Sequence, residues 1–167
     1  MPASRAELFA FFDQLGIKTQ TFDHEPVFTV EEAKKVHDNV PGGHCKNLFC
    51  KDEKGVLWLI VALEDAQIDL KAARFKIDSK RLTFGKPELL FEILGIEPGS
   101  VTPFGLINDK ANVVNVILDE AMMAHEKLNF HPLKNDATTT ISHTDLITFI
   151  KACGHNPRIV AVSDSLL

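Results

Sequence analysis

The segment VLWLIVAL, residues 56–63, restricts the fold more than any other part of the chain. Read as a strand, it presents apolar side chains on both faces. Such a strand belongs in the middle of a sheet with a cover on each side. The preceding DEKG, residues 52–55, is a turn sequence, and before it runs PGGHCKNLFC, residues 41–50. That second strand is less simple. Alternation places His44, Lys46, Leu48 and Cys50 on one face, and Cys45, Asn47 and Phe49 on the other. A lysine that shares a face with leucine and cysteine must escape at an edge or meet an anionic or electron-rich ligand at the mouth of a pocket, because an unpaired buried ammonium is costly.

Helix signals surround this pair. SRAELFAFFDQLG starts with a capping box, Ser4 and Glu7, and ends at Gly16. TVEEAKKVHD repeats the pattern with Thr29 and Glu32. Asp69 caps LKAARF, Pro87 opens PELLFEILG before Gly95, and Ser142 or Thr144 starts TDLITFIKACG. IKTQTFDH, VVNVILD, ATTTIS and RIVAVS read as strands, NFHPL as a brief extended piece, and EAMMAHEKL as a short helix or turn. Without a strict strand–helix alternation, the expected fold is α+β: one domain over residues 1–167, a mixed and mostly antiparallel sheet surrounded by helices.

The chemistry is narrowed mostly by what is missing. No window approaches a membrane span, and the N-terminal stretch lacks the basic start and apolar run of a signal peptide, so a soluble, cytoplasmic protein is expected. Cys45, Cys50 and Cys153 form no disulfide framework and suit a reducing compartment. No short pair of His or Cys ligands has zinc spacing, so no metal is expected. Free cysteine is a common small core residue, which favours packing over nucleophilic roles for Cys45 and Cys50. Neither GxSxG nor a Walker motif occurs. The loop EPGSVTPFGLINDK carries Gly99, Pro103 and Gly105. It fits a plain surface loop and a rigid loop presenting N–H groups to a ligand equally well. A chain of net charge −5 argues against a general nucleic-acid coat. Yet KAARFKIDSKRLTFGK, residues 71–86, sets Lys71, Arg74, Lys76, Lys80, Arg81 and Lys86 against Asp78 alone. Such a run is a solvated face or a phosphate contact.

Five stretches in order, HEPVFTVEEA (24–33), GGHCKNLF (42–49), LTFG (82–85), GSVTPFGL (99–106) and NFHPLKNDATTTIS (129–142), resemble the YbaK/ProX aminoacyl-tRNA deacylases. These are relatives of the editing domain inserted in bacterial prolyl-tRNA synthetases. The resemblance covers nearly the whole chain and is closest to the free-standing ProX branch. It implies hydrolysis of the ester in Ala-tRNA(Pro) by water, with no metal or other cofactor. Mischarged tRNA(Pro) is the implied partner, with prolyl-tRNA synthetase as a further candidate and no role for DNA or membrane. By the same resemblance Lys46 matches the essential lysine, Asn47 follows it, Gly99 and Pro103 match the loop beside the reacting carbonyl, and His131 matches a histidine of the aminoacyl pocket. Lys71, Arg74, Lys80 and Arg81 are the candidate tRNA contacts. Cys-tRNA(Pro) hydrolysis and a non-catalytic tRNA- or synthetase-binding module are the competing functions.

Overall fold

The computed structural model describes residues 1–27 and 29–164. Phe28, inside the HEPVFTVEEA run, lies outside them. Local signals set the helix ends. In α1 (Arg5–Leu15) the Ser4 hydroxyl accepts from the Glu7 N–H, the Glu7 carboxylate accepts from the Ser4 N–H, and Gly16 closes the helix at φ 71°. In α2 (Val30–Asn39) the Thr29 hydroxyl accepts from the Glu32 N–H at 3.1 Å. The Glu32 carboxylate takes the Thr29 hydroxyl proton at 3.0 Å, so this box is only half made. Asp69 caps α3 (Leu70–Ile77), Pro87 opens α4 (Pro87–Leu94), and Ser142 caps α5 (His143–Ala152).

Among the described residues, eight strands form one mixed sheet. β2 (Gly43–Asp52) and β3 (Leu57–Leu63) make the expected antiparallel hairpin, from Cys45 opposite Leu63 to Lys51 opposite Leu57. β5 (Val114–Asp119) lies parallel to β3, and β8 (Arg158–Val160) parallel to β5. On the other side, β6 (Lys127–Phe130) runs parallel to β2, followed by antiparallel β7 (Ala137–Ser142) and β1 (Gln20–Asp23). β4 (Leu82–Phe84) pairs antiparallel with the far end of β2. Four of the seven pairings are antiparallel, which is the mixed sheet expected.

β3 is central and buried from Leu57 to Ala62. Leu57, Leu59 and Val61 join Phe12, Leu94, Phe104 and Phe149 in the larger core. Trp58 and Ile60 face Ala73 and Ile77 of α3 in the smaller one. Each such side chain contributes about 1.5–3 kcal/mol when fully buried. The alternation read for β2 holds as well: Phe49 lies in the larger core and Cys50 in the smaller.

Two features were not read from the sequence, and a third only in part. β4 is a three-residue strand with Thr83 and Phe84 exposed, so it carries little apolar pattern. Pro103–Asn108, within the expected loop, winds into a 3-10 helix capped by Thr102, whose hydroxyl accepts from the Phe104 N–H at 3.2 Å. EAMMAHEKL divides into a 3-10 turn, Met122–Ala124, and the start of β6.

The sheet forks at β2. β6 pairs with it only at Gly43 and His44, and β4 only from Cys50 to Asp52. Between them one edge of β2 carries no partner strand among the described residues. Buried Asn129 holds the fork: its amide donates to the Pro41 carbonyl at 3.0 Å and the Gly43 carbonyl at 3.3 Å, and its oxygen accepts from the Thr140 hydroxyl at 2.5 Å. Gly42 fits there because φ is 106° and a Cβ would stand 3.0 Å from the Asn129 amide nitrogen.

Candidate active site

A cavity of about 260 Å³ opens at the fork. His44, Cys45, Lys46 and Asn47 of β2 form one wall; Asn129, Phe130, His131 and Thr138 form the other; Gly99 and Val101 form a rim, and His37 of α2 another. Side chains from both faces of β2 reach this space because the strand edge itself is open.

Lys46 is half-buried and its ammonium donates to the carbonyl of Ala66, in the loop after β3. One of its three donors is thus occupied. Asn47 donates its amide N–H to the Val101 carbonyl at 3.0 Å. A carbonyl can only accept, so the orientation of this amide is fixed. Its oxygen is buried with no partner. Leaving an acceptor unsatisfied costs about 1–3 kcal/mol, which a ligand donor would recover. Gly99 is exposed and adopts φ 89° with open space where a Cβ would stand, so backbone conformation rather than crowding favours glycine.

His131 donates from Nδ1 to the Ala137 carbonyl at 2.9 Å, which leaves Nε2 as its open nitrogen. Burial holds its pKa below the ordinary histidine value, against the raising effect of that bond. Behind it, His24 donates from Nδ1 to the Glu25 carbonyl at 2.8 Å, so its Nε2, 2.9 Å from Thr138 Oγ1, accepts the threonine proton. His37 and His44 stack with ring centroids 3.9 Å apart. Burial pushes the Cys45 thiol up to about 12, so it is not a thiolate at neutral pH. Cys50 is fully buried and likewise pushed up to about 12.

Of the residues singled out in the sequence, Lys46, Asn47, Gly99 and His131 come together around this cavity. Pro103 does not line it; it is buried at the start of the 3-10 helix, four residues along the loop from Gly99. Lys71, Arg74, Lys80 and Arg81 are also away from the lining. They lie on α3 and on the run into β4. His37, His44 and Thr138 also line the cavity; His44 and Thr138 fall within the stretches that carry the family resemblance, and none of the three was singled out as a site residue. Among the described residues, no helix is long and apolar enough to cross a membrane.

Comparison with known proteins identifies relatives over nearly the whole chain. Residues 24–149 match the model of the aminoacyl-tRNA editing domain. The chain is 36% identical over 161 residues to the prolyl-tRNA editing protein ProX of Acetoanaerobium sticklandii, with 96% of this chain and 98% of that one covered. It is 38% identical over 161 residues to prolyl-tRNA synthetase associated domain-containing protein 1 of Mus musculus, covering 93% and 95%. A crystal structure provisionally described as a trans-editing enzyme for prolyl tRNA synthetase superposes with a TM-score of 0.70 at 18% identity, over 99% of this chain and 100% of that one, which shows the shared fold. The match over residues 24–149 and the identity to these relatives place the chain in the aminoacyl-tRNA editing domain family.

Proposed function

We propose that the protein is a trans-editing hydrolase that cleaves the aminoacyl ester of mischarged tRNA(Pro), with Ala-tRNA(Pro) as its preferred substrate. The observation that carries this reading is the meeting of Lys46 and the unpartnered Asn47 oxygen in one small cavity. Ester hydrolysis develops negative charge on the carbonyl oxygen, and a preorganised cation beside it lowers that barrier. Lys46 supplies the cation, to the ester oxygens or to the terminal ribose and phosphate. The Gly99 backbone supplies an N–H on the rim. Asn47 accepts from the ammonium group of the aminoacyl moiety, and His131 bounds its side chain. Pro103 fixes the loop that holds Gly99. The nucleophile is water, since the half-buried Cys45 thiol is held protonated.

At about 260 Å³ the cavity falls below the roughly 300–1,000 Å³ of ordinary small-molecule pockets. A small acyl group suits it. A synthetase site made for proline gains only about 1–3 kcal/mol of discrimination against smaller alanine, so a second site that admits alanine and excludes the proline ring completes the sieve.

The test is deacylation of tRNA(Pro) charged with alanine, cysteine or proline under matched conditions. Ala-tRNA(Pro) is expected to be cleaved fastest and Pro-tRNA(Pro) spared. Efficient cleavage of the proline ester refutes the reading, and a preference for cysteine transfers it to the sulfur-containing substrate. Binding with no turnover on any of the three leaves a non-catalytic module.

A further inference from the structure

His37 is the lining residue whose surroundings are most specific. Its Nδ1 stands 2.9 Å from a carboxylate oxygen of Glu64, in the loop after β3. The carboxylate accepts, so Nδ1 carries the proton and Nε2 keeps its lone pair. Glu64 is itself held, because its N–H donates to the His44 carbonyl at 2.8 Å. The ring of His44 stacks on that of His37, and His44 Nε2 donates to the Val40 carbonyl at 2.9 Å. α2, β2 and the loop after β3 are thus closed into a ring of contacts that fixes one tautomer and one orientation of the His37 imidazole. Nε2 has no partner among the described residues, and the side chain borders the cavity that holds Lys46.

We propose that His37 is the general base of the hydrolysis, with Glu64 as the residue that orients it. This rests on the deacylase reading given above. A water in the cavity attacks the ester carbonyl carbon while His37 Nε2 takes one of its protons. The tetrahedral oxyanion is stabilised by Lys46. The bond from the carbonyl carbon to the ribose oxygen then breaks, and that oxygen leaves with the proton returned from Nε2. Atoms and charge balance with water as the only co-reactant.

A base must be unprotonated at working pH. Burial lowers the pKa of His37 most, followed by the stacked His44 and, more weakly, by His131; Glu64 and Asp38 act in the opposite direction. Lys46 faces the same cavity.

The test is the single-turnover rate of Ala-tRNA(Pro) hydrolysis against pH, with the spontaneous rate subtracted. In wild type the rate is expected to fall on the acid side as His37 protonates. His37→Ala is expected to lose about 10²-fold, within the range of general-base catalysis, and to regain part of it from free imidazole. Glu64→Gln keeps an acceptor for Nδ1 but removes the negative charge that raises the His37 pKa, so its acid limb is expected to move to lower pH. The titration of the substrate's own amino group is common to every variant and cancels in that comparison. An active wild type with an unmoved acid limb in Glu64→Gln, or a folded His37→Ala protein at the wild-type rate, overturns the assignment of His37 and leaves the deacylase reading intact. No hydrolysis by wild type overturns both.

Discussion

A single β2 side chain, Lys46, has a local setting that predicts how its loss is felt. The Ala66 carbonyl holds its ammonium at the cavity and leaves two donors for a ligand. Lys46→Ala therefore removes a cation that is already positioned. Single-turnover hydrolysis of Ala-tRNA(Pro) is expected to fall by about 10²–10³-fold, the scale seen when one preorganised stabilising donor is lost. The melting temperature is expected to change little, because the side chain is only half-buried and lies outside both apolar cores. A folded variant with wild-type turnover removes Lys46 from the mechanism. The position was legible in the sequence, since a lysine in phase with Leu48 and Cys50 had to be explained by an edge or a pocket. His37 was not legible. It is one polar residue in the last turn of a polar helix, and its meaning comes from Glu64 and His44, which chain tracing alone does not place beside it.

At the scale of elements, the β2–β3 hairpin depends on buried Asp52. One of its carboxylate oxygens accepts from the N–H groups of Lys54 and Val56, and the other from Trp58 Nε1 and the Lys80 N–H. Burial pushes its pKa up, but the bonds from Val56, Trp58, Lys54 and Lys80 outweigh that and hold it below the usual aspartate value. Asp52→Asn places an amide N–H₂ against at least one of these donors. A loss of about 1–3 kcal/mol is expected in urea unfolding at neutral pH. Because the folded pKa is the lower one, the stability owed to ionised Asp52 is complete above the unfolded value, near 3.9, and is lost as pH falls through the folded value. The difference between wild type and Asp52→Asn should accordingly narrow in strong acid. An equal difference at neutral and acid pH would show that the charge of Asp52 contributes nothing. This hairpin, like the capped ends of α1 and α5, was readable because its signals are local. β4 was not: it is held by pairing with Cys50–Asp52 from thirty residues away, and two of its three side chains are exposed.

Across the whole molecule, charge is distributed unevenly. The chain carries a net −5, yet six basic residues are concentrated on α3 and the run through β4 into α4. Most of them are exposed; Arg74 instead lies 4.4 Å over the ring of Phe75, which is itself exposed. None of the six borders the cavity. The loop that receives Lys46 at Ala66 leads directly into α3, so the basic run begins one short, acidic loop along the chain from the site. Replacing Lys80 and Arg81 together by alanine is expected to raise KM for aminoacyl-tRNA and flatten its salt dependence by roughly 0.7–0.9 per lost phosphate contact. The saturating single-turnover rate should hold. An unchanged KM and salt slope would assign the tRNA contact to another surface.

The fork in the sheet separates two tasks that a single pocket usually mixes. β2 is paired to β3 over seven residues and can hardly shift, whereas β6 touches it through two. The wall that carries Lys46 and Asn47 is therefore held along its length by β3, and the facing wall of Phe130, His131 and Thr138 is a second jaw, tied to β2 by those two pairs and the Asn129 bonds. Substitutions in the jaw would recalibrate which side chain is admitted without redrawing the chemistry. On that basis one scaffold could be retuned from one mischarged residue to another by changes confined to β6, β7 and the turn between them.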